Sequence, residues 1–230
     1  MRKLPFDAII FDHDGTLIDT ERADLEACQR LYQEYGAEIT VEYWAEHIVG
    51  HMGGYEVVLA DLAQRNGHGA TRDTLWQRFK ELWSITLENV GLMPGVANLL
   101  PNLQAAGYPL AVATASDRAW AKRWLTRFDL WPYFQVVATG DDVVHNKPAP
   151  DVYLFAATQL GVKPDRCLVF EDSGAGLKAA KAAGMTVVAV PSHLTKTLNF
   201  SQADGIINGL DKVTVEWIKT FNSHYSTFNV

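Results

Sequence analysis

Residues 7–16 read Asp7-Ala8-Ile9-Ile10-Phe11-Asp12-His13-Asp14-Gly15-Thr16. Four consecutive apolar residues give way at once to two acids and an Asp-Gly pair. A continuous apolar run without alternation is the pattern of a strand covered on both faces. Asp-Gly is a turn pair, because both residues tolerate unusual backbone angles. The stretch therefore predicts a buried strand that delivers two carboxylates, Asp12 and Asp14, to its carboxyl end.

Working outward, four more short apolar runs share this texture: residues 109–114, 135–138, 167–170 and 186–190. Helical patterns separate them at 95–107, 117–128, 150–160 and 174–183. Strands alternating with helices predict a parallel sheet. Between the first strand and the second lies a block with helical periodicity only, over 19–35, 39–49, 55–66 and 71–89. Gly50, Gly53 and Gly54, and then Asn66-Gly67-His68-Gly69, interrupt it. The fold class this predicts is α/β: a doubly wound, Rossmann-like core of residues 1–18 and 89–230, with a small helical domain, residues 19–88, inserted. The last residues, 221–230, carry little pattern.

A 230-residue chain that is 48% hydrophobic can bury one good core, or one core with a smaller companion. The net charge of -7 argues against nucleic-acid and anionic-membrane partners. No apolar run approaches the roughly 20 residues of a membrane helix, and the apolar stretch after Arg2 and Lys3 breaks at Asp12, too early for a signal peptide. Cys28 and Cys167 have no metal-ligand spacing, so a reduced, cytoplasmic protein is expected.

Ligands of such sheets bind outside the carboxyl ends of the strands. That criterion collects Asp12 and Asp14 after the first strand, Thr114 and Ser116 after the second, and Glu171 and Asp172 after the 167–170 strand. Lys147, in Asn146-Lys147-Pro148-Ala149-Pro150, precedes a helix. Each has an ordinary explanation: a turn, a helix cap, a solvated lysine. Together, in this order, they point to one site. A calcium loop from Asp12 is excluded, since Leu17 stands at the sixth position where glycine is required. Gly174-Ala175-Gly176-Leu177-Lys178-Ala179 after a strand imitates a dinucleotide-binding turn. Glu171 and Asp172 would repel a pyrophosphate there, and no acid follows the next strand to hold a ribose.

The set resembles the motifs of the haloacid dehalogenase superfamily, in its phosphatase branch with a helical cap and nearest in texture to β-phosphoglucomutase-like enzymes. Asp12-His13-Asp14-Gly15-Thr16-Leu17 is similar to the first motif, Thr114 to the second, Lys147 to the third and Glu171-Asp172 to the fourth. The resemblance implies a magnesium-dependent phosphomonoester hydrolase acting on a small phosphorylated metabolite. Asp12 would be the nucleophile, forming an aspartyl phosphate. Asp14 would be the acid and base, and Lys147 would offset charge. Thr114, Ala115, Ser116, Gly15 and Lys147 would hold the phosphoryl group. Apart from the motifs, Arg118 beside Ser116 is a candidate to touch the leaving group, against the commoner reading of a surface helix arginine. Asp12, the Asp14 carbonyl, Asp172 and Glu171 would bind Mg²⁺. True dehalogenases resemble this pattern but lack the acid at the position of Asp14.

Mutases of this branch carry a cap histidine where this chain has Asp24, and a cap arginine near Gly53. Both departures favour a hydrolase over a mutase, with a weakly active phosphate-binding regulatory module as the non-enzyme alternative. Glu21, Arg22, His47, His51 and Tyr55 are the cap residues expected to set specificity. His47 and His51 are spaced for a metal, but no glutamate completes the HExxH pattern. Trp76, Trp83, Trp120 and Trp124 recur at helical spacing and are expected to pack the core.

Overall fold

The computed structural model describes residues 5–48, 54–65 and 70–221. The expected α/β core is present. Six strands, β1 (Ala8–Phe11), β2 (Leu110–Ala113), β3 (Val136–Ala138), β4 (Cys167–Glu171), β5 (Thr186–Ala189) and β6 (Gly205–Ile206), form one sheet in the order β3-β2-β1-β4-β5-β6. Every pairing is parallel. The chain winds outward from β1 through β2 to β3, then returns to β4 on the other side of β1. β1 and β4 thus flank the switch point where such sheets open a crevice.

The helices are α1 (Thr20–Glu34), α2 (Val41–His47), α3 (Gly54–Arg65), α4 (Arg72–Thr86), α5 (Val96–Ala105), α6 (Arg118–Arg127), α7 (Asp151–Leu160), α8 (Gly174–Ala182) and α9 (Val215–Thr220). The chain divides into two compact units. One contains residues 1–18, 92–192 and 199–230; the other contains 19–91 and 193–198.

In the α/β unit, β1, β2 and β4 are buried at every residue, which is why their sequences lack alternation. Phe11 stacks on Phe170 of the neighbouring strand with ring centroids 5.3 Å apart and meets Phe134 edge-on. The register pairs Phe11 with both Val112 and Phe170. The residues after those positions therefore emerge side by side at one sheet edge. Two elements were not legible. β6 is only two residues long, and α9 only six; its Trp217 ring packs against Phe221 at 4.9 Å and Phe170 at 6.3 Å.

In the helical unit, Leu31, Trp44, Leu62, Leu75 and Phe79 are among the residues of one buried cluster. Tyr32 closes it by donating its hydroxyl to the Val58 carbonyl at 2.7 Å. α2 and α4 begin at threonine N-caps, Thr40 and Thr71, whose side chains accept from Tyr43 and Thr74 amides. The tryptophan expectation holds only in part. Trp124 is fully buried and Trp83 half-buried, whereas Trp76 is 37% exposed. Among the described residues no helix is long and apolar enough to cross a membrane.

Candidate active site

After β1 the backbone reverses within six residues. The amides of Leu17 and Ile18 both donate to the His13 carbonyl, and Gly15 donates to the Ile18 carbonyl at 2.8 Å. Gly15 makes the turn at φ 78, a left-handed angle where side chains are strained. Asp12 itself continues the sheet by donating its amide to Phe170. The turn thus fixes Asp12 in the sheet and projects Asp14 beyond it.

Lys147 enters from the loop before α7, next to a cis peptide bond to Pro148. Its ammonium group lies 2.5 Å from Asp12 Oδ1 and 2.7 Å from Glu171 Oε1. All three side chains are buried. Glu171 is held on every side. Oε1 also accepts the Tyr153 hydroxyl at 3.1 Å, and Oε2 accepts the Ser173 amide and hydroxyl at 2.7 and 3.0 Å. The Tyr153 ring lies under the ammonium group, 4.8 Å from its centroid. Asp172 lies beside them, with the Thr16 hydroxyl 3.4 Å from its Oδ1.

Burial pushes the Asp12 carboxyl well above the usual carboxylate range; Lys147 opposes this and Glu171 adds to it. Burial would lower the Lys147 ammonium, but Asp12 and Glu171 outweigh it and hold the group well above its ordinary value. Lys147 therefore faces two buried carboxylates, with a third, Asp172, close by. Carboxylate oxygens of Asp12, Glu171 and Asp172 lie within 4.8 Å of one another. Uncompensated buried charge is costly, and a hard divalent cation with oxygen ligands fits this donor set.

A second group surrounds Asp14. Ser116 donates its hydroxyl to Oδ2 at 2.7 Å, and the Trp120 indole N–H donates to Oδ1 at 2.8 Å. His13 Nδ1 lies 3.1 Å from Oδ1 without the alignment of a hydrogen bond. Thr114 is buried at the end of β2 and accepts the Ser116 amide on its hydroxyl at 3.0 Å. Ala115 is exposed, and its carbonyl accepts from the Asn146 side chain.

Asp12, Lys147, Glu171 and Asp172 thus stand together, as do Asp14, Thr114 and Ser116. Three expectations need correction. Arg118 turns away: its guanidinium grips the Asp142 carboxylate at 2.5 Å and approaches the Val137 carbonyl at 3.4 Å. Asp142, one strand over, is the stronger partner. Gly15 shapes the turn, and its amide is taken by Ile18. Trp120 is half-buried and uses its polar edge on Asp14 instead of packing the core.

The motifs contain neither Tyr153 nor Trp120. Each sits in an apolar helical pattern that hides its polar handle. The available signal was an aromatic donor one turn after a strand-end loop, at Trp120 after Ser116. Gly176 has a purpose unrelated to dinucleotides: a Cβ there would fall on the Glu171 carboxylate.

In the helical unit, Asp24 accepts the Tyr55 hydroxyl at 2.6 Å and the Trp83 indole N–H. Arg22 binds Asp19 and the Asn89 carbonyl. His47 stacks on Tyr43 at 4.1 Å, its Nδ1 2.9 Å from the Tyr43 carbonyl. Glu21 opens α1 in its first turn. His51, Gly50 and Gly53 lie outside the described residues.

The sequence pattern of the family described as haloacid dehalogenase-like hydrolase matches residues 9–190. The chain is 37% identical to protein CbbY of Rhodobacter capsulatus over 92% of this chain and 96% of that one. It is 34% identical to the phosphorylated carbohydrates phosphatase of Thermotoga maritima, over 78% and 82% of the two chains. Among solved structures, a mutant CbbY from Rhodobacter sphaeroides in complex with xylulose-(1,5)-bisphosphate superposes with a TM-score of 0.68. That chain is 28% identical, over 90% of this chain and 96% of the other.

Proposed function

The chain belongs to the haloacid dehalogenase-like hydrolase family and is a hydrolase of phosphoric monoesters, and on that premise we propose that it cleaves a small phosphorylated sugar or sugar acid through an aspartyl phosphate on Asp12. The observation that carries this reading is the buried contact of Asp12 with Lys147, backed by Glu171 and Asp172.

Asp12 is the nucleophile because it is fixed by the sheet at the switch point, with one oxygen already paired to Lys147. Lys147 opposes the burial that raises the Asp12 carboxyl and attracts the phosphoryl dianion. Thr114 and Ser116 stand at the adjoining strand end, where phosphoryl oxygens would be received. Asp12, Asp172 and Glu171 are the side chains that would hold Mg²⁺, with the Asp14 carbonyl as a further oxygen. The ion would supply charge neutralisation for the transferred group. Asp14 protonates the leaving oxygen in the first step and deprotonates water in the second.

The helical unit is proposed as the cap that excludes water and selects the leaving group. Its Asp24, an anion held by Tyr55 and Trp83, is unsuited to anchoring a second phosphate, which favours hydrolysis over a mutase reaction. The likeness to a phosphorylated carbohydrates phosphatase and to CbbY supports the substrate class.

The test is phosphate release from a panel of small esters with Mg²⁺, with EDTA, and with Asp12→Asn. Metal-dependent turnover lost in the variant is expected. A folded protein that binds Mg²⁺ yet turns over no ester would overturn the reading in favour of a phosphate-binding regulatory module.

A further inference from the structure

Resting on the reading of Asp14 as acid and base, we propose that Trp120 is a positioning residue that decides which oxygen of Asp14 carries the transferable proton. The two oxygens have chemically different partners. Oδ1 accepts the Trp120 indole N–H at 2.8 Å, and Oδ2 accepts the Ser116 hydroxyl at 2.7 Å. An indole N–H can only donate, whereas a serine hydroxyl can donate or accept. The carbonyl oxygen of a carboxylic acid accepts a hydrogen bond better than its hydroxyl oxygen, so the indole N–H favours Oδ1 as the carbonyl oxygen. His13 Nδ1, 3.1 Å from Oδ1, is not aligned to take a proton from it. A proton on Oδ2 is tolerated, because the Ser116 hydroxyl can rotate its own hydrogen away.

The donor is held rigidly. Trp120 lies in the first turn of α6, where the Asp117 N-cap accepts its amide at 2.7 Å. Its ring meets Trp124 edge-on with centroids 5.5 Å apart, and Arg123 lies over both rings at 5.8 and 5.0 Å. Trp124 is fully buried. The indole is thus anchored to the core through its neighbour, and its N–H is aimed before substrate arrives. Such pre-orientation matters because small displacements of a catalytic group cost large factors in rate.

The steps balance as follows. An Asp12 oxygen attacks phosphorus while the bond to the ester oxygen breaks. The electron pair goes to that oxygen, which takes the proton from Asp14 Oδ2 and departs as the alcohol. Asp14 is left as a carboxylate with a donor on each oxygen, Trp120 on one and Ser116 on the other. In the second step Oδ2 takes a proton from water as the water oxygen attacks phosphorus. The bond from phosphorus to Asp12 breaks, which returns the Asp12 carboxylate and inorganic phosphate.

Leaving-group dependence tests this. Alkyl phosphates need the proton; p-nitrophenyl phosphate, with a stable phenolate, needs it little. The quantity read is the ratio of kcat/KM for glycerol phosphate to that for p-nitrophenyl phosphate, which is independent of the fraction of protein folded. Trp120→Phe keeps the ring and removes the N–H. The ratio should fall about tenfold, equivalent to about 1.4 kcal/mol, and Trp120→Met should lower it in the same direction. Asp14→Ala should lower the ratio further, and adding Trp120→Phe to it should change the ratio no more. An unchanged ratio in both Trp120 variants, with a lowered ratio in Asp14→Ala, would overturn the role of Trp120 alone. An unchanged ratio in Asp14→Ala would overturn the acid–base reading beneath it.

Discussion

Replacing Gly176 by alanine adds one methyl group at the point where the Glu171 carboxylate sits. A Cβ built there falls on Oε1 and the carboxyl carbon and lies 2.6 Å from Oε2. The helix backbone cannot yield easily, since the Gly176 amide is tied to the Ser173 N-cap at 3.0 Å. Glu171 must move, and it leaves four partners: Lys147, Tyr153, and the amide and hydroxyl of Ser173. Breaking a buried ion pair costs about 3–5 kcal/mol. Alanine in a helix returns about 1 kcal/mol over glycine. The net expectation is a destabilisation of about 2–4 kcal/mol by these two magnitudes. Gly174 is the control: nothing lies within 4 Å of a Cβ there. Gly174→Ala should therefore be no less stable than the parent and at most about 1 kcal/mol more stable. Urea titrations in EDTA, followed by circular dichroism, read both. Gly176→Ala as stable as Gly174→Ala, with phosphatase turnover intact, would refute the claim that Glu171 occupies that space.

Two further perturbations probe the same cluster. Lys147→Met keeps the length of the side chain and removes the charge that faces Asp12 and Glu171. It should destabilise by about 3–5 kcal/mol in EDTA, with Mg²⁺ restoring part of the loss; urea denaturation in both conditions checks this. Mg²⁺ at about 100 times its dissociation constant should stabilise the parent by about 2.7 kcal/mol. That is a rise in Tm of roughly 5–10 °C for a chain of this size. Asp172→Asn should abolish most of that rise in a thermal melt, whereas an equal rise would place the ion elsewhere.

β1, β2 and β4 were legible because each is buried at every residue and so forms an unbroken apolar run, and the partly exposed β3 and β5 were legible as short apolar runs of the same texture. β6 escaped because Gly205–Ile206 is too short to make a pattern, and its neighbour Asp204 gives its carboxylate to Lys181 and the Val187 amide. The carboxylates of the site could be read because they interrupt apolar runs at the strand ends, where burial makes a charge conspicuous. Lys147 was legible only together with them, since a lone lysine in a loop is ordinarily solvated. Arg118 was misplaced because adjacency to Ser116 in sequence says nothing of the acids that β3 delivers nearby. Trp120 and Tyr153 were hidden for the opposite reason: a large apolar body in a helix satisfies the core pattern while its polar tip serves the site.

The central claim is that Asp12 becomes phosphorylated during turnover. Rapid acid quench of the enzyme with a sugar phosphate and Mg²⁺, followed by borohydride reduction and peptide mass mapping, examines that residue directly. An acyl phosphate that forms before phosphate is released, and reduction confined to Asp12, is the predicted result. Phosphate release at full rate with no acyl phosphate at Asp12 at any time would contradict it.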